Sequence, residues 1–333
     1  MTQNIRLEKF FTSHEIAMPE AGTILVIRAN ASSVFSNFDT LNLHCQQSFK
    51  PSFDALMRMD ITPHQSLPVL AQSAIVELTR SKPENLANIA KAYALLDKGA
   101  SLYIDGAKTD GIESILKAVA QRTVVEESYS KSHGKTIWLV KNQLENPFAD
   151  WMHLADIAKN KDGFYTAPGI FSSDAIDPAS ALLCENITHP LKGKGADLGA
   201  GWGYLSHHTL QNYHEISSLD LYEAEHISLN CAQQNITDQR VQFHWQDVQT
   251  MPAKPLYDFI LMNPPFHIAR KAEPSIGRKF IEQASKMLTS KGRLWLVANK
   301  QLAYEATLDA HFKTWSYVMQ SSQYKVIYAT RPK

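Results

Sequence analysis

Short apolar runs alternate with segments of helical length through most of the chain. Runs of this kind are typical of buried strands. Their alternation with helical segments along the chain indicates a mainly parallel sheet with helices on both faces. We therefore predict an α/β fold. In the second half, the predicted strands are 195–200, 216–223, 241–245, 257–262, 293–298 and 325–329, and the predicted helices are 204–211, 224–235 and 277–288.

The two halves of the chain each contain one segment with the same order of elements. Residues 74–106 and 258–299 both predict a strand, a polar corner with proline, a helix, a Lys-Gly turn and a strand. The halves could be duplicates, although unrelated α/β halves also look alike. The first half has "TRSKPEN" where the second has "MNPPFH", and no glycine-rich loop follows its early strand "TILVIRAN". If the halves are duplicates, the first has lost its site.

Length favours two domains, because the chain has 333 residues and a domain commonly has about 100 to 200. Pro147 and the polar run "AKNKDG" place the boundary near residue 150, which gives domains 1–150 and 151–333. Lysine and arginine together equal aspartate and glutamate, 33 each. Because these charges balance, the protein has no overall electrostatic field that would attract nucleic acid. Any contact with nucleic acid must therefore depend on local patches of positive charge.

The cysteines and the hydropathy pattern indicate the cellular compartment in which the protein is expected. Cys45, Cys184 and Cys231 are widely spaced and form no CxxC pair, which argues against a disulfide scaffold or a structural zinc site. No signal core follows the start, and no window approaches the run of about 20 apolar residues that a membrane helix needs. We expect a soluble, cytoplasmic protein with no metal site and no membrane partner.

The stretch "ADLGAGWGYLS" places Gly199, Gly201 and Gly203 between a predicted strand and a predicted helix. Glycines permit a tight turn and a close approach of backbone to ligand, and the helix N-terminus offers unpaired N–H groups. A structural turn would explain three glycines equally simply. Asp197 at the strand end and an acid at the end of the next strand instead favour a loop that binds a nucleotide-type cofactor.

Glu223 ends that next strand, 22 positions after Gly201, where a carboxylate can accept both hydroxyls of a ribose. Asp220 is the competing acid, but its side chain falls on the opposite face under a period of two. Asp247, with Val248 beside it, follows the third strand and could reach an adenine amino group. A solvated loop aspartate is the alternative for Asp247. The glycine loop and these acidic residues would suit either NAD or S-adenosylmethionine as the cofactor.

The corner "MNPPFH" distinguishes the two cofactors. Together, "DLGAGWG", Glu223, Asp247 and "NPPF" resemble class I S-adenosylmethionine-dependent methyltransferases that modify planar amino groups. Enzymes with this corner act on adenine N6, cytosine N4, glutamine side chains and guanine N2. The resemblance implies S-adenosylmethionine as the cofactor and the Asn-Pro-Pro-Phe corner as the catalytic element.

A narrower resemblance covers about residues 150–333. The stretch "TAPGIFSSDAIDPASALL", the glycine loop, "NPPFH", "VAN" and "YKVIYATRP" resemble the RsmC type of ribosomal RNA guanine-N2 methyltransferase. The resemblance implies two Rossmann-like methyltransferase-type domains, the second with a seven-stranded mostly parallel sheet and the first a degenerate copy. Trp202 inside the glycine loop and the local "LYEAEH" depart from the family pattern, which leaves the modified nucleotide open.

The corner has a chemical reason within this family. An exocyclic amine on a purine is a poor nucleophile, and Asn263 Oδ1 and the Pro264 carbonyl can each accept one of its hydrogens, which directs its lone pair at the methyl group. Pro264 and Pro265 fix φ near −65° and remove two competing backbone donors. Phe266 is expected to stack on the target base.

Other residues have two interpretations each. Phe171 forms a wall over the cofactor or belongs to the core, and His267 orients the base or packs. Arg270 and Lys271, with Arg278 and Lys279 beyond them, hold phosphates or form a solvated face. The predicted site therefore has three groups of residues: catalytic Asn263, Pro264, Pro265 and Phe266; cofactor-binding Asp197, Gly199, Ala200, Gly201, Gly203, Glu223, Asp247, Val248, Asn263 and Phe171; and substrate-binding Phe266, His267, Arg270 and Lys271.

We predict an enzyme that methylates guanine N2 in ribosomal RNA, with the small-subunit RNA favoured. Adenine N6 of RNA is the runner-up and glutamine N5 of a protein the third possibility. A noncatalytic RNA-binding or ribosome-assembly factor and an NAD enzyme are hypotheses from other classes. The expected partner is ribosomal RNA or a ribosomal subunit, the expected state is a monomer, and the first domain is expected to recognise RNA or to support the second.

Overall fold

A computed structural model describes residues 5–15, 22–32, 34–35, 38–68, 70–265, 267–268, 271–272 and 274–333. For residues 5, 267, 268, 271 and 272 it describes the backbone alone. The chain forms two compact units, Met1–Asp156 and Ile157–Lys333. The division therefore falls after Asp156, whereas the sequence places a boundary near residue 150.

The first unit is a seven-stranded sheet with the order β3-β2-β1-β4-β5-β7-β6. Its strands run parallel except β7, which is antiparallel to both of its neighbours. The strands are β1 Ile24–Ile27, β2 Leu43–Gln46, β3 Pro63–His64, β4 Ala71–Glu77, β5 Leu96–Ala107, β6 Glu127–Lys131 and β7 Gly134–Val140, and the helices are α1 Ile5–Ser13, α2 Lys50–Met57, α3 Lys82–Leu95 and α4 Ile112–Ala120.

The second unit repeats that topology, with the order β12-β11-β10-β13-β16-β18-β17 and with β18 antiparallel to both neighbours. Two short hairpins, β8 with β9 and β14 with β15, lie outside the sheet. The strands are β8 Ala158–Lys159, β9 Tyr165–Thr166, β10 Gly193–Leu198, β11 Ile216–Glu223, β12 Val241–Trp245, β13 Tyr257–Met262, β14 His267–Ile268, β15 Lys271–Ala272, β16 Leu288–Asn299, β17 Phe312–Gln320 and β18 Tyr324–Pro332, and the helices are α5 Pro178–Glu185, α6 Tyr204–Asn212, α7 His226–Asn235, α8 Pro274–Met287 and α9 Glu305–His311.

Alternate residues of the central strands enter two separate cores. Ile260 and Met262 of β13 pack with α8 and α9, while Phe259 and Leu261 face the opposite core with α5, α6 and α7. A strand has a side-chain period of two, so a strand buried on both faces is apolar throughout. This burial explains why β13 begins and ends at the predicted residues. β11 and β12 also match their predicted bounds, although both include exposed and half-buried positions.

The glycine loop begins earlier than the sequence indicates. The strand predicted over 195–200 ends at Leu198, because Gly199 has φ +75° and leaves the extended region. The sequence also failed to indicate α5, α9 and the edge strand β17. Positions in β17 such as Lys313 and Thr314 are exposed, so that strand lacks the apolar run that marks the central ones.

The two units correspond residue by residue at the ends of their central strands. Ile27 pairs with Val76 as Leu198 pairs with Met262. Ala29 N–H donates to the Gln46 carbonyl at 3.1 Å, and Ala200 N–H donates at 3.1 Å to the carbonyl at the corresponding strand position. Arg28 has φ +59°, close to the value at Gly199. The first unit therefore keeps the first turn of the glycine loop, with Arg28 in place of Gly199.

Candidate active site

The glycine loop joins β10 to α6 through three residues with positive φ. Gly199, Gly201 and Gly203 have φ of +75°, +57° and +91°. A Cβ atom added at Gly201 would meet no other heavy atom within 4 Å. The loop therefore leaves room for a ligand beside Gly201.

Gly203 has a different physical role. It precedes the first residue of α6, and a Cβ atom there would lie 2.8 Å from Ile236 Cδ1 and 3.2 Å from Ala232 Cβ. Only a glycine lets α6 start this close to α7. A pocket lies beside the glycine loop, and Gly203 is not one of its lining residues. The pocket is lined by Phe171, Ser172, Asp177, Ser180, Gly199, Ala200, Gly201, Trp202, Tyr204, Leu205 and Asn263.

Glu223 is connected to the glycine loop. Its carboxylate accepts a hydrogen bond from Gly201 N–H at 2.8 Å and another from Glu225 N–H at 2.7 Å, one on each oxygen. Burial raises the pKa of this carboxyl group, and the hydrogen bonds from Glu225 and Gly201 lower it. A further backbone hydrogen bond comes from Ala224, which leaves one of the roughly four acceptor sites of the carboxylate for a hydroxyl group. Glu223 is not one of the residues that line the pocket.

Asp220, the competing acid, has other partners. Tyr257 donates its hydroxyl hydrogen to Asp220 Oδ2 at 2.6 Å, and His244 Nε2 lies 3.1 Å from Oδ1. Burial raises the pKa of Tyr257, and the Asp220 carboxylate raises it further. The structure thus brings Glu223 to the loop and holds Asp220 in a separate cluster.

Asp197 lies beneath the loop with none of its surface exposed. Ser206 on α6 donates its hydroxyl to Asp197 Oδ2 at 2.7 Å, while Oδ1 has no hydrogen-bond partner among the described residues. Burial raises the pKa of this carboxyl group to about 7, against the Ser206 hydrogen bond, which lowers it. Asp197 therefore connects the loop strand to α6, and its predicted contact with the cofactor stays a prediction.

The proline corner directly follows β13, beside the loop. Pro264 is buried and Pro265 is exposed. A Cβ atom added at Gly199 would lie 3.8 Å from Pro265 Cδ. Leu198 and Met262, the last residues of the two strands, are paired in register. The predicted cofactor loop and the predicted catalytic corner therefore meet at the carboxyl ends of neighbouring parallel strands.

Asn263 is held from the nitrogen end of its side chain. Its Nδ2 donates to Asp177 Oδ2 and to Ser180 Oγ, both at 2.9 Å. Both N–H bonds of the amide are thereby used, and Asn263 is one of the residues that line the pocket. The carbonyl oxygen Oδ1 is left as the group available to a ligand.

The segment before α5 forms one wall of the pocket. The Phe171 side chain is 54% exposed, which excludes the core interpretation of this residue. The Trp202 indole donates from Nε1 to the Phe171 carbonyl at 3.1 Å, and its ring is buried with Ala167 and Ile170. The tryptophan that departs from the family pattern therefore attaches this wall to the glycine loop.

Asp247 and Val248 do not line the pocket. Asp247 Oδ1 accepts from Gln249 N–H at 2.9 Å, and the Val248 side chain is buried in the core. Asp247 and Val248 nevertheless lie close to Glu223, because the neighbouring Gln246 N–H donates to the Glu223 carbonyl at 3.0 Å. Their contact with an adenine stays a prediction.

Several predicted substrate residues are not part of the described structure. Phe266 and Arg270 lie outside the described residues. His267 and Lys271 are described in backbone only, where His267–Ile268 pairs antiparallel with Lys271–Ala272. Their predicted roles stay predictions.

Metal clusters and membrane-spanning helices are both absent from the described part of the chain. There, no three His, Cys, Asp or Glu side chains are grouped so that they could hold a metal ion. None of the helices in this part of the chain is long and apolar enough to cross a membrane.

Sequence reasoning missed Asp177 and Ser180. The signal for a helix start was present, because Asp177 and Pro178 read as an N-cap followed by proline at the first helical position. Their contact with Asn263 could not be inferred, since 86 and 83 residues separate the partners.

In the first unit, side chains bridge the corresponding strand ends. Glu77 follows Val76 as Asn263 follows Met262, and it accepts from Asn30 Nδ2 at 2.9 Å. Gln47 stands where Glu223 stands, and its Nε2 donates to the Ala29 carbonyl at 2.8 Å.

Arg28, at the position of Gly199, forms a 2.7 Å ion pair with Glu84. In the second unit the corresponding residue is Gly199, and the open position of the loop is Gly201, where an added Cβ atom would meet no heavy atom within 4 Å. At the position of Gly201 the first unit has Asn30, whose side chain donates to Glu77.

Comparison with known proteins identifies similar chains. The family model of the methyltransferase small domain matches residues 161–328. The chain is 27% identical to the ribosomal RNA small subunit methyltransferase C of Psychromonas ingrahamii over 261 residues, which cover 76% of this chain and 74% of that one. It is 25% identical to the protein of the same name from Yersinia enterocolitica, over 97% of this chain and 92% of that one.

One solved structure is similar along nearly the whole chain. It is the 16S rRNA N2 guanine methyltransferase RsmC of T. thermophilus in complex with AdoMet and guanosine. Its TM-score is 0.78 at 22% sequence identity, and the match covers 95% of this chain and 90% of that one. At this identity the likeness shows a shared fold, and that fold includes both units.

Proposed function

Since the chain belongs to the family defined by the methyltransferase small domain, we propose that it transfers the methyl group of S-adenosylmethionine to guanine N2 in small-subunit ribosomal RNA. Membership in the family confirms the methyltransferase class of enzyme and S-adenosylmethionine as its cofactor. The predicted fold of two related α/β units is likewise confirmed.

The observation that carries the proposal is the orientation of Asn263. Its amide nitrogen is used by Asp177 and Ser180, so its carbonyl oxygen is the acceptor that remains beside the glycine loop. An acceptor fixed in this position suits an amino group whose hydrogen must be held during methyl transfer. A noncatalytic RNA-binding protein has no use for such an acceptor.

The residues present fit the cofactor. Gly201 faces open space, and the Glu223 carboxylate at the same loop keeps an acceptor site beside its hydrogen bonds to backbone N–H groups. We infer that Glu223 holds the ribose and that the N–H groups of the loop hold the methionine part of the cofactor. When bound, S-adenosylmethionine supplies an activated methyl group on a sulfonium ion. The chain's own task is to position the amine, because no strong base is needed for an ammonium product that loses its proton to water.

The choice of base and RNA comes from the relatives. Two chains that align with this one over three quarters of its length or more are named ribosomal RNA small subunit methyltransferase C. The T. thermophilus enzyme acts on guanine N2 of 16S rRNA. We propose the same base here, with ribosomal RNA or a ribosomal subunit as the partner. We further propose a cytoplasmic monomer in which the first unit supports the second or recognises RNA.

The test is nucleoside mass spectrometry of small-subunit ribosomal RNA from a strain that lacks the protein. We expect the loss of N2-methylguanosine at one site, its restoration by the wild-type protein, and no restoration by Asn263→Ala. The Asn212→Ala variant is a matched control, because within the described residues that exposed side chain bonds the His208 carbonyl of its own helix α6.

Two outcomes would contradict the proposal. An unchanged content of N2-methylguanosine together with a loss of N6-methyladenosine would point to the adenine alternative. Failure of the purified protein to bind S-adenosylmethionine near millimolar concentration, measured by calorimetry, would favour a noncatalytic assembly factor.

A further inference from the structure

The side-chain amide of Asn263 has two ends of nearly equal size and opposite hydrogen-bonding character. The carbonyl end accepts and the nitrogen end donates. If the amide turned over, a donor would face the amine of the substrate, and the acceptor that the reaction needs would be lost. The corner motif itself does not select one orientation, because its prolines fix only the backbone.

Asp177 is the group that selects the orientation. Its Oδ2 accepts from Asn263 Nδ2 at 2.9 Å. An ionised carboxylate only accepts, so the reversed amide would bring two acceptor oxygens together. Ser180 Oγ receives the second N–H bond at 2.9 Å. A hydroxyl group can donate or accept, so Ser180 alone would tolerate both orientations.

The local sequence fixes Asp177 in turn. Asp177 is the N-cap of α5, with φ −66° and ψ 126°, and its Oδ2 also accepts from Ser180 N–H at 2.8 Å. Pro178 occupies the first helical position, where its preset φ suits a helix start. Ser180 is 7% exposed, so its hydroxyl has little access to competing water. The first turn of α5 therefore presents a carboxylate and a hydroxyl in a fixed arrangement.

We propose that Asp177 and Ser180 are positioning residues for the methyl transfer: they hold Asn263 so that Oδ1 faces the target amine. The proposal rests on the function proposed above. It predicts that the orientation of one amide depends on a helix cap that lies 86 residues earlier in the chain.

Two substitutions separate positioning from simple capping. Asp177→Asn keeps a good N-cap and also the orientation of Asn263, because one oxygen, Oδ2, accepts from both Ser180 N–H and Asn263 Nδ2. Asp177→Ser also keeps a cap but is too short to reach Asn263. We expect kcat to fall about ten- to a hundredfold in Asp177→Ser, as for loss of a hydrogen bond to a charged group, and to fall less in Asp177→Asn, the conservative variant that keeps the acceptor. The KM for RNA and the Kd for S-adenosylmethionine are expected to stay within about threefold.

The controls concern folding and location. Asp174→Asn changes an exposed acid of the same segment and should leave kcat unchanged. A wild-type kcat in folded Asp177→Ser, or an equal loss of kcat in Asp177→Ser and Asp177→Asn, would overturn the proposal and reduce the pair to a helix cap.

A second readout does not depend on the substrate. In protein labelled with ¹⁵N-asparagine, the Asn263 side-chain amide is assigned by its absence in Asn263→Ala. We expect Asp177→Ser to shift this signal and to speed exchange of its hydrogens with water. An unmoved amide signal would overturn the positioning role. If the signal moves while the wild-type protein methylates no guanine, the proposed function fails and the orientation of Asn263 by Asp177 stands.

Discussion

Gly201 N–H donates a 2.8 Å hydrogen bond to the carboxylate of Glu223 and so attaches the glycine loop to the end of the neighbouring strand. Glu225 N–H uses the other oxygen at 2.7 Å. A glutamine has one acceptor oxygen, so Glu223→Gln must present an N–H group to one of these two donors. The same carboxylate organises the loop and faces the inferred position of the ribose.

We expect Glu223→Gln to weaken binding of S-adenosylmethionine by roughly ten- to a hundredfold, the effect of about 1.5 to 3 kcal/mol for a hydrogen bond to a charged group. Isothermal titration calorimetry measures this change. Asp220→Asn is the matched control on the same strand, because Asp220 bonds Tyr257 and His244 instead of the loop. An equal loss of affinity in both variants would show that Glu223 has no special role.

Two glycines of one loop should respond differently to the same substitution. In Gly203→Ala, the new methyl group overlaps Ile236, which costs about 1 to 3 kcal/mol, and the left-handed φ adds about 1 to 2 kcal/mol. We expect a Tm lower by about 5 °C or more in the protein without cofactor. In Gly201→Ala, the methyl group enters open space, so the stability loss is smaller and the affinity for S-adenosylmethionine falls instead.

Differential scanning calorimetry and cofactor titration on both variants check this difference. If Gly201→Ala bound S-adenosylmethionine as the wild type does, the open space beside Gly201 would not be the place of the cofactor.

We expect one S-adenosylmethionine per chain. In the first unit, Arg28, Asn30 and Glu77 occupy the positions that correspond to the glycine loop and to Asn263. Calorimetric stoichiometry of the wild-type protein should therefore be close to one, and Gly201→Asp should abolish all binding. A second equivalent bound, or binding that survives in Gly201→Asp, would place a functional site in the first unit.

The outcome for individual residues shows which features could be predicted. The strand β13 begins and ends as predicted because both of its faces enter a core, and such burial produces an apolar run. The end of β10 was predicted wrongly, since the alternation of side chains does not reveal the positive φ of Gly199.

The site could be predicted only where its residues share a motif. Gly201, Glu223 and Asn263 follow from the loop, the strand end and the corner, all of which have recognisable local patterns. The contact between Asp177 and Asn263 requires the tertiary fold, because no local pattern connects residues so far apart. Trp202 looked like a departure from the family, and only its hydrogen bond to the Phe171 carbonyl gives it a role.

The buried carboxyl group of Glu77 should make the stability of the first unit depend on pH. Burial raises its pKa from 4.5 to about 8, Asn30 lowers it by a hydrogen bond, and Asp105 raises it by repulsion. An acid whose pKa is higher in the folded state than in the unfolded state makes its full contribution to stability at a pH below the pKa of the unfolded state. That contribution is lost as the pH rises through about 8.

Glu77→Gln removes this titration but keeps an oxygen that can accept from Asn30 Nδ2. Because one proton changes stability by about 1.4 kcal/mol per pH unit, we expect the Tm of the variant to match that of the wild type near pH 5, to exceed it increasingly up to about pH 8, and to exceed it by a constant amount above that pH. Calorimetric unfolding scans at pH 5, 7 and 9 measure the difference, with exposed Glu126→Gln as the control. Parallel Tm curves for Glu77→Gln and the wild type would mean that Glu77 stays ionised in the folded protein, with Asn30 and its other neighbours able to stabilise the charge.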